Sequence, residues 1–299
     1  MSKLVLIDGN AILHRAYHAL PPLTTKDGEP INAVYGLITM LLKIIQDLEP
    51  THIAVAFDRK EPTFRKEVFE DYQAHRPEMD EDLADQFEYA KKTLKAFGIP
   101  IFSKAGYEAD DVIGTLAEQA QKDMEEIIIV TGDQDILQLV NGKVKVFLPA
   151  RGVTKGMVYD KKDVVKKLGV EPERVIDYKA LVGDPSDNYP GVKGIGPKTA
   201  ERLLNEYKTF EKVYENVDKI KGSVGEKLKE HKEDADLSYK LAKIVKDVPV
   251  EFDEKDALTW RVNSKPVIDL FKDFGFRTLT KRVKEVGEKI DRKKQMSLI

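Results

Sequence analysis

Along the first half of the chain, short apolar runs alternate with longer stretches of helical period. "KLVLI" (3–7), "HIAVAF" (52–57), "EIIIV" (126–130) and "VKVFL" (144–148) are short and almost uniformly apolar, and read as buried strands. Between the first two, "NAVYGLITMLLKIIQDLE" carries helical periodicity from Asn32 and is ended by Pro50. "LADQFEYAKKTLKAFG" (83–98) is a second helix, stopped by Gly98 and Pro100. This alternation predicts an α/β fold with a largely parallel central sheet flanked by helices. After residue 160 strand signals fade. Helices are expected over 161–168, 173–183 and 197–207, followed by Lys/Glu-rich ones to about 245. The chain therefore divides into an α/β domain (1–170), a helical region (171–250) and a C-terminal extension (251–299). The last ten residues, "IDRKKQMSLI", read as a flexible basic tail.

One stretch breaks the alternation. "RKEPTFRKEVFEDYQAHRPEMDED" (59–82) is polar, interrupted by Pro62 and Pro77, and sets Phe64, Phe69 and Tyr72 among arginines and lysines. An insert of this length inside an α/β domain points to function.

Composition adds exclusions. The 299 residues are 41% hydrophobic and 34% charged, which suits a soluble globular chain. There are no cysteines, so disulfides and thiolate metal sites are excluded. The longest apolar stretch, "LITMLLKII", is interrupted by Lys43 and too short to span a bilayer, and the N-terminal apolar run is too short for a signal peptide. A cytoplasmic protein without membrane contact is expected. The net charge of −3 hides an asymmetry: residues 1–135 hold 14 basic and 25 acidic side chains, and the remainder 35 and 27. An acidic half joined to a basic half suggests anion binding beside clustered carboxylates.

The acids fall in a pattern. "LVLID" runs into Asp8, "AVAFD" into Asp58, and "IIIVTGDQD" into Asp133 and Asp135, while "YEADDVIGTL" opens a helix with Glu108, Asp110 and Asp111. Asp184 and Asp187 follow in "GDPSDN". A single aspartate after a strand is ordinarily a helix cap or turn residue. Repetition on several strands places the acids at the carboxyl ends of a parallel sheet, where ligands bind. Two charges about 4 Å apart repel by roughly 4 kcal/mol at an effective dielectric of 20. Either several carboxylates hold protons, or divalent cations sit among them. Hard oxygen ligands without cysteine select Mg²⁺ or Mn²⁺, and two such ions suit phosphoryl chemistry.

"YPGVKGIGPKTAERLL" (189–204) sets Gly191, Gly194 and Gly196 before a helix near Pro197. No strand precedes it, so a dinucleotide fingerprint is a poor match. A helix–hairpin–helix that grips a nucleic-acid backbone, with Lys193 and Lys198 adding charge, fits better than a plain connector.

Taken together, "LVLIDGN", "VAFD", "FR…YQAHRP", "YEADDVIGTLA", "VTGDQD" and "LVGDPSDNYPGVKGIGPKTA" resemble the 5′-nuclease domains of bacterial DNA polymerases I and their flap-endonuclease relatives, over roughly residues 3–250. The resemblance implies a metal-dependent hydrolase that cuts DNA near a 5′ flap, nick or overhang. It implies that Asp8, Asp58, Glu108, Asp110, Asp111 and Asp133 surround a first ion, and Asp135, Asp184 and Asp187 a second. It makes the insert, near 59–90, part of a helical arch in which Arg65 and Arg76 hold the scissile region and Tyr72 stacks on a base. Arg15 would face the substrate. Gly191, Lys193, Gly194, Gly196, Lys198 and Thr199 would contact duplex backbone, and Val192 and Ile195 would hold a monovalent cation such as K⁺. The family's arch motif reads Tyr-Lys-x-x-Arg, whereas Gln73 follows Tyr72 here. Glutamine can hydrogen-bond a phosphate but not neutralise it, which touches rate more than reaction class.

A non-catalytic binder of branched DNA and a related α/β ribonuclease are the competing readings. The first would be expected to lose carboxylates, and all nine are kept; the second usually has fewer acids and no glycine-rich hairpin. A monomer is expected. Gln295–Ile299, "QMSLI", is similar to the short motif by which bacterial repair enzymes dock on the sliding clamp, with Ile in place of the usual terminal Phe.

Overall fold

The computed structural model describes residues 2–150 and 156–296. β1 (Lys3–Asp8), β2 (His52–Ala56), β3 (Ile101–Phe102), β4 (Glu126–Val130), β5 (Val144–Pro149) and β6 (Gly156–Tyr159) form one sheet in the order β3-β2-β1-β4-β5-β6. Neighbours are parallel except β6, which runs antiparallel to β5. The chain leaves β1 toward β2 and β3 on one side, and β4 lies on the other. The topological switch therefore falls between β1 and β4, and a crevice opens at their carboxyl ends.

Both faces of the sheet are covered, which is why β1, β2 and β4 are almost continuously apolar. On one face α1 (Gly9–Ala19) and α2 (Asn32–Leu48) pack over Val5, Ile7 and Val55. The insert contributes only α3 (Phe64–Val68) and turns, and it folds down over the acids instead of forming a helical arch. It ends sooner than expected: α4 (Glu81–Ala96) buries Leu83, Ala90 and Leu94 in the layer of α1 and α2. α5 (Ala109–Ala120) and α6 (Lys161–Leu168) cover the other face, over Leu4, Leu6 and Ile129.

The helical region has its own core. α7 (Val175–Val182) follows a 3₁₀ turn at Pro172–Arg174. It packs with α8 (Pro197–Tyr207), α9 (Phe210–Glu215), α10 (Ser223–Glu230) and α11 (Lys232–Ala242) around Leu181, Leu203, Phe210 and Leu228. The C-terminal extension is not a loose appendage. α12 (Glu254–Leu258), α13 (Lys265–Asp273) and α14 (Arg277–Met296) return to the α/β domain. Trp260, Phe271, Phe276 and Val283 are buried there with residues of α2 and α4. The Trp260 Nε1–H donates to the Thr51 carbonyl at 3.0 Å.

The expected flexible tail gives way to helix as far as Met296, with Ile290 packed against the core. Of the clamp-like motif, Gln295 and Met296 close α14, and Ser297, Leu298 and Ile299 lie outside the described residues. Among the described residues no helix is long and apolar enough to cross a membrane.

Candidate active site

Asp8 ends β1 and caps α1: its Oδ1 accepts from the Ala11 N–H at 2.9 Å. Its Oδ2 accepts from the Thr131 hydroxyl, just beyond β4, at 2.8 Å, so one carboxylate spans the switch point. Asp58, after β2, accepts from the Ala109 N–H at 2.6 Å and so ties its strand to the start of α5. Asp133 accepts from the Asp135 N–H at 2.8 Å. The capping role of these acids is real, and it does not exhaust them. Burial first, then the neighbouring Asp58 charge, pushes Asp8 up to about 7. Burial, then Asp133 and Asp8, pushes Asp110 well above the usual carboxylate range. Asp58 and Asp133 are also raised, again chiefly by burial. These four acids repel one another in one crevice.

Asp111 belongs elsewhere. It is fully buried, and Arg65 meets it end-on: Nη1 to Oδ2 at 2.7 Å and Nη2 to Oδ1 at 2.8 Å. The Val245 N–H donates to Oδ1 at 2.9 Å and the Glu108 N–H to Oδ2 at 3.1 Å. With both oxygens engaged, the expectation that Asp111 ligates a metal gives way to a structural ion pair. Arg65 is equally committed, donating also to the carbonyls of Leu241 and Lys243, so it is not free to hold a scissile phosphate. Glu108 lies between the two sets: 3.3 Å from Arg65 and from the Tyr72 hydroxyl. Burial pushes it up to about 7, against the pull of Arg65.

Tyr72 corrects another expectation. It is 3% exposed, packs with Tyr189 and Leu241, and donates toward Glu108 and Asp187 at 3.3 Å. In this arrangement its ring cannot stack on a base. Gln73 takes a left-handed backbone (φ 58°), and its N–H donates to the Asp187 carbonyl at 2.9 Å. Arg76 Nη2 lies 2.5 Å from Asp187 Oδ1, with half its side chain in solvent.

Asp135 and Asp184 share a cation that sequence reasoning did not single out. Lys179 Nζ lies 2.5 Å from Asp135 Oδ1 and also pairs with Asp184 Oδ2. Tyr189 donates to Asp135 Oδ2 at 3.2 Å. Burial works against the Asp184 anion, yet Lys179 and Ser186 hold it below the usual range. The only sequence signal for Lys179 is its place on α7, five residues before Asp184. Thr131, Tyr189 and Ser238 were missed as well, and none has a spacing that marks it.

Among the described residues no three Asp, Glu or His side chains already converge as a formed metal cage. The donor chemistry nevertheless fits a hard divalent ion: carboxylate oxygens only, desolvated and mutually repelling, at Asp8, Asp58, Asp110 and Asp133.

The glycine hairpin begins four residues after Asp187. Gly191 sits at φ 60°, where a Cβ would come within 2.2 Å of the Gly183 nitrogen; its own N–H donates to Ser238 Oγ at 2.9 Å. Val192 and Ile195 are buried and anchor the loop, while Lys193, Gly194, Gly196 and Lys198 face solvent and Thr199 is half-buried. Gly196 caps α8 and Pro197 opens it; the Thr199 and Ala200 N–H groups donate to the Gly196 carbonyl, which leaves the Lys198 N–H at the helix start beside two lysines. Arg15 is half-buried on α1, in the helix that Asp8 caps.

Two family models match the chain. The 5′-3′ exonuclease N-terminal resolvase-like domain covers residues 3–169 and the 5′-3′ exonuclease C-terminal SAM fold residues 170–265. The chain is 44% identical over 283 residues to DNA polymerase I of Caldicellulosiruptor bescii, covering 94% of this chain and 33% of that protein. It is 42% identical over 284 residues to DNA polymerase I of Bacillus subtilis, covering 95% and 32%. The chain thus spans about a third of the length of the curated relatives it matches. In fold it is similar to the bacteriophage T5 D15 flap endonuclease solved with DNA and metal ions, with a TM-score of 0.66 at 21% identity over 96% of this chain and 98% of that one. On the two contiguous domain matches, which together run from residue 3 to residue 265, the chain belongs to the 5′-3′ exonuclease family.

Proposed function

We propose that this chain is a metal-dependent, structure-specific 5′ nuclease that hydrolyses phosphodiesters near the 5′ end of DNA flaps, overhangs and nicked duplexes. The observation that carries the reading is the gathering of Asp8, Asp58, Asp110 and Asp133 at the switch point, with a basic glycine hairpin four residues beyond Asp187. Mg²⁺ or Mn²⁺ held by these acids would supply activation of water and neutralisation of phosphoryl charge. Asp8, Asp58, Asp110 and Asp133 hold the first ion, and Asp135, Asp184 and Asp187 the second. Glu108, raised by burial, keeps its proton near neutral pH in part of the population. Arg76, half in solvent, exchanges Asp187 for a substrate phosphate. The hairpin amides, Lys193 and Lys198 hold the duplex by its backbone, with K⁺ at the carbonyls of Val192 and Ile195. The enzyme acts as a cytoplasmic monomer, and Gln295–Ile299 docks it on a sliding clamp.

The test is cleavage of a labelled 5′ flap, a nicked duplex and a single strand, each with Mg²⁺ or EDTA. Cutting of the flap and nick in Mg²⁺ alone is the expected result. Binding of branched DNA without cutting in either condition would favour the non-catalytic alternative.

A further inference from the structure

The two sets of acids are not charged alike. Asp8, Asp58 and Asp133 contact neutral donors: the Ala11, Ala109 and Asp135 N–H groups and the Thr131 hydroxyl. The other set is already furnished with cations of the chain. Lys179 bridges Asp135 and Asp184, and Arg76 meets Asp187. The two cations differ in setting. The Arg76 side chain is 51% exposed, whereas that of Lys179 is 15% exposed and projects from α7, a helix packed into the helical core. Its ammonium therefore sits in the space between two carboxylates that a second divalent ion would need.

We propose that Lys179 is a tethered counter-cation: it holds Asp135 and Asp184 together while the second divalent ion is absent, and that ion binds only by displacing it. The inference rests on the reading of the acids as metal ligands. The two ion sites then fill in order. The first set has no side-chain cation in contact to displace, whereas the second must give up an ion pair before it gains an ion. An opposite charge beside a carboxylate changes its affinity for a competing cation by about one to three powers of ten. An ordinary structural ion pair predicts something different. It would support the fold equally with and without metal, whereas a displaced one supports only the metal-free protein.

The experiment uses the full chain without DNA, stripped with EDTA and titrated calorimetrically with Mn²⁺, for wild type, Lys179→Met and Lys179→Arg. Wild type is expected to show one tight and one weak site. In Lys179→Met the weak site tightens by about tenfold or more while the tight site holds. The thermal midpoint of Lys179→Met falls in EDTA and returns to the wild-type value in saturating Mn²⁺. Lys179→Arg keeps the wild-type pattern. A weak site unchanged or weakened in Lys179→Met, or a thermal loss that persists in Mn²⁺, overturns the proposal. A wild-type chain that takes up no Mn²⁺ overturns the metal-dependent reading itself.

Discussion

Arg65 and Asp111 face each other as a two-point ion pair, at 2.7 and 2.8 Å, with Asp111 fully buried. The pair joins the insert to α5, and through the Leu241 and Lys243 carbonyls and the Val245 N–H it reaches the end of the helical region. It is a tie between parts of the chain far apart in sequence.

Asp111→Ala should therefore destabilise the protein. Removing Asp111 leaves the buried guanidinium with only Glu108, at 3.3 Å, as a counter-charge, at a cost of up to about 3–5 kcal/mol. Urea unfolding of the metal-free chain measures this. A loss under about 1 kcal/mol would mean that the pair is dispensable.

Asp8 sets a pH dependence. Its folded-state value of about 7 lies above the ordinary 3.8, so its contribution is fully present below 3.8 and is lost as pH rises through about 7. In EDTA, thermal stability should decline from pH 5 to pH 8, and Asp8→Asn should flatten that decline while abolishing Mg²⁺-dependent cleavage. Glu108, also raised to about 7, acts in the same direction. Parallel pH profiles for wild type and Asp8→Asn would contradict the argument.

Lys198→Ala should weaken binding to duplex-bearing DNA and lower the magnitude of the log K against log[salt] slope by about one unit. The residue is solvent-facing in the first turn of α8, so the thermal midpoint should not move. An unchanged slope places Lys198 away from the DNA.

Gly191→Ala tests the hairpin itself. At φ 60° a side chain is strained, and the new Cβ would meet the Gly183 nitrogen and the Val182 carbonyl carbon, which are backbone and cannot swing aside. The expected cost exceeds about 1 kcal/mol, with loss of duplex binding. Wild-type stability in a thermal melt would show that the loop relaxes freely.

Four strands were legible because each is a short apolar run, which in β1, β2 and β4 is covered on both faces. β3 escaped notice because its ladder is two residues long, Ile101 and Phe102, and no periodicity survives at that length. β6 carries Gly156, and its first two residues, Gly156 and Met157, are exposed, so it lacks the apolar signature of its neighbours. The acids of the crevice were legible from their places after strands. The separate fate of Asp111 was not, since it depends on Arg65, 46 positions away, and on the backbone beyond Leu241. Lys179 was hidden for the same reason: its partner Asp135 is 44 residues earlier, and only the packing of α7 against the crevice brings them together.

The return of residues 254–296 to the first layer has a consequence for biosynthesis. The apolar surface of α2 and α4 is complete by residue 96, yet its cover, Trp260, Phe271, Phe276 and Val283, is translated only well after it. A chain emerging from the ribosome carries that uncovered face while the residues between α4 and Trp260 are made, a period in which exposed apolar surface invites misassembly. Nascent chains arrested near residue 250 should therefore be protease-sensitive in α2 and α4, and become resistant only once α14 has cleared the exit tunnel.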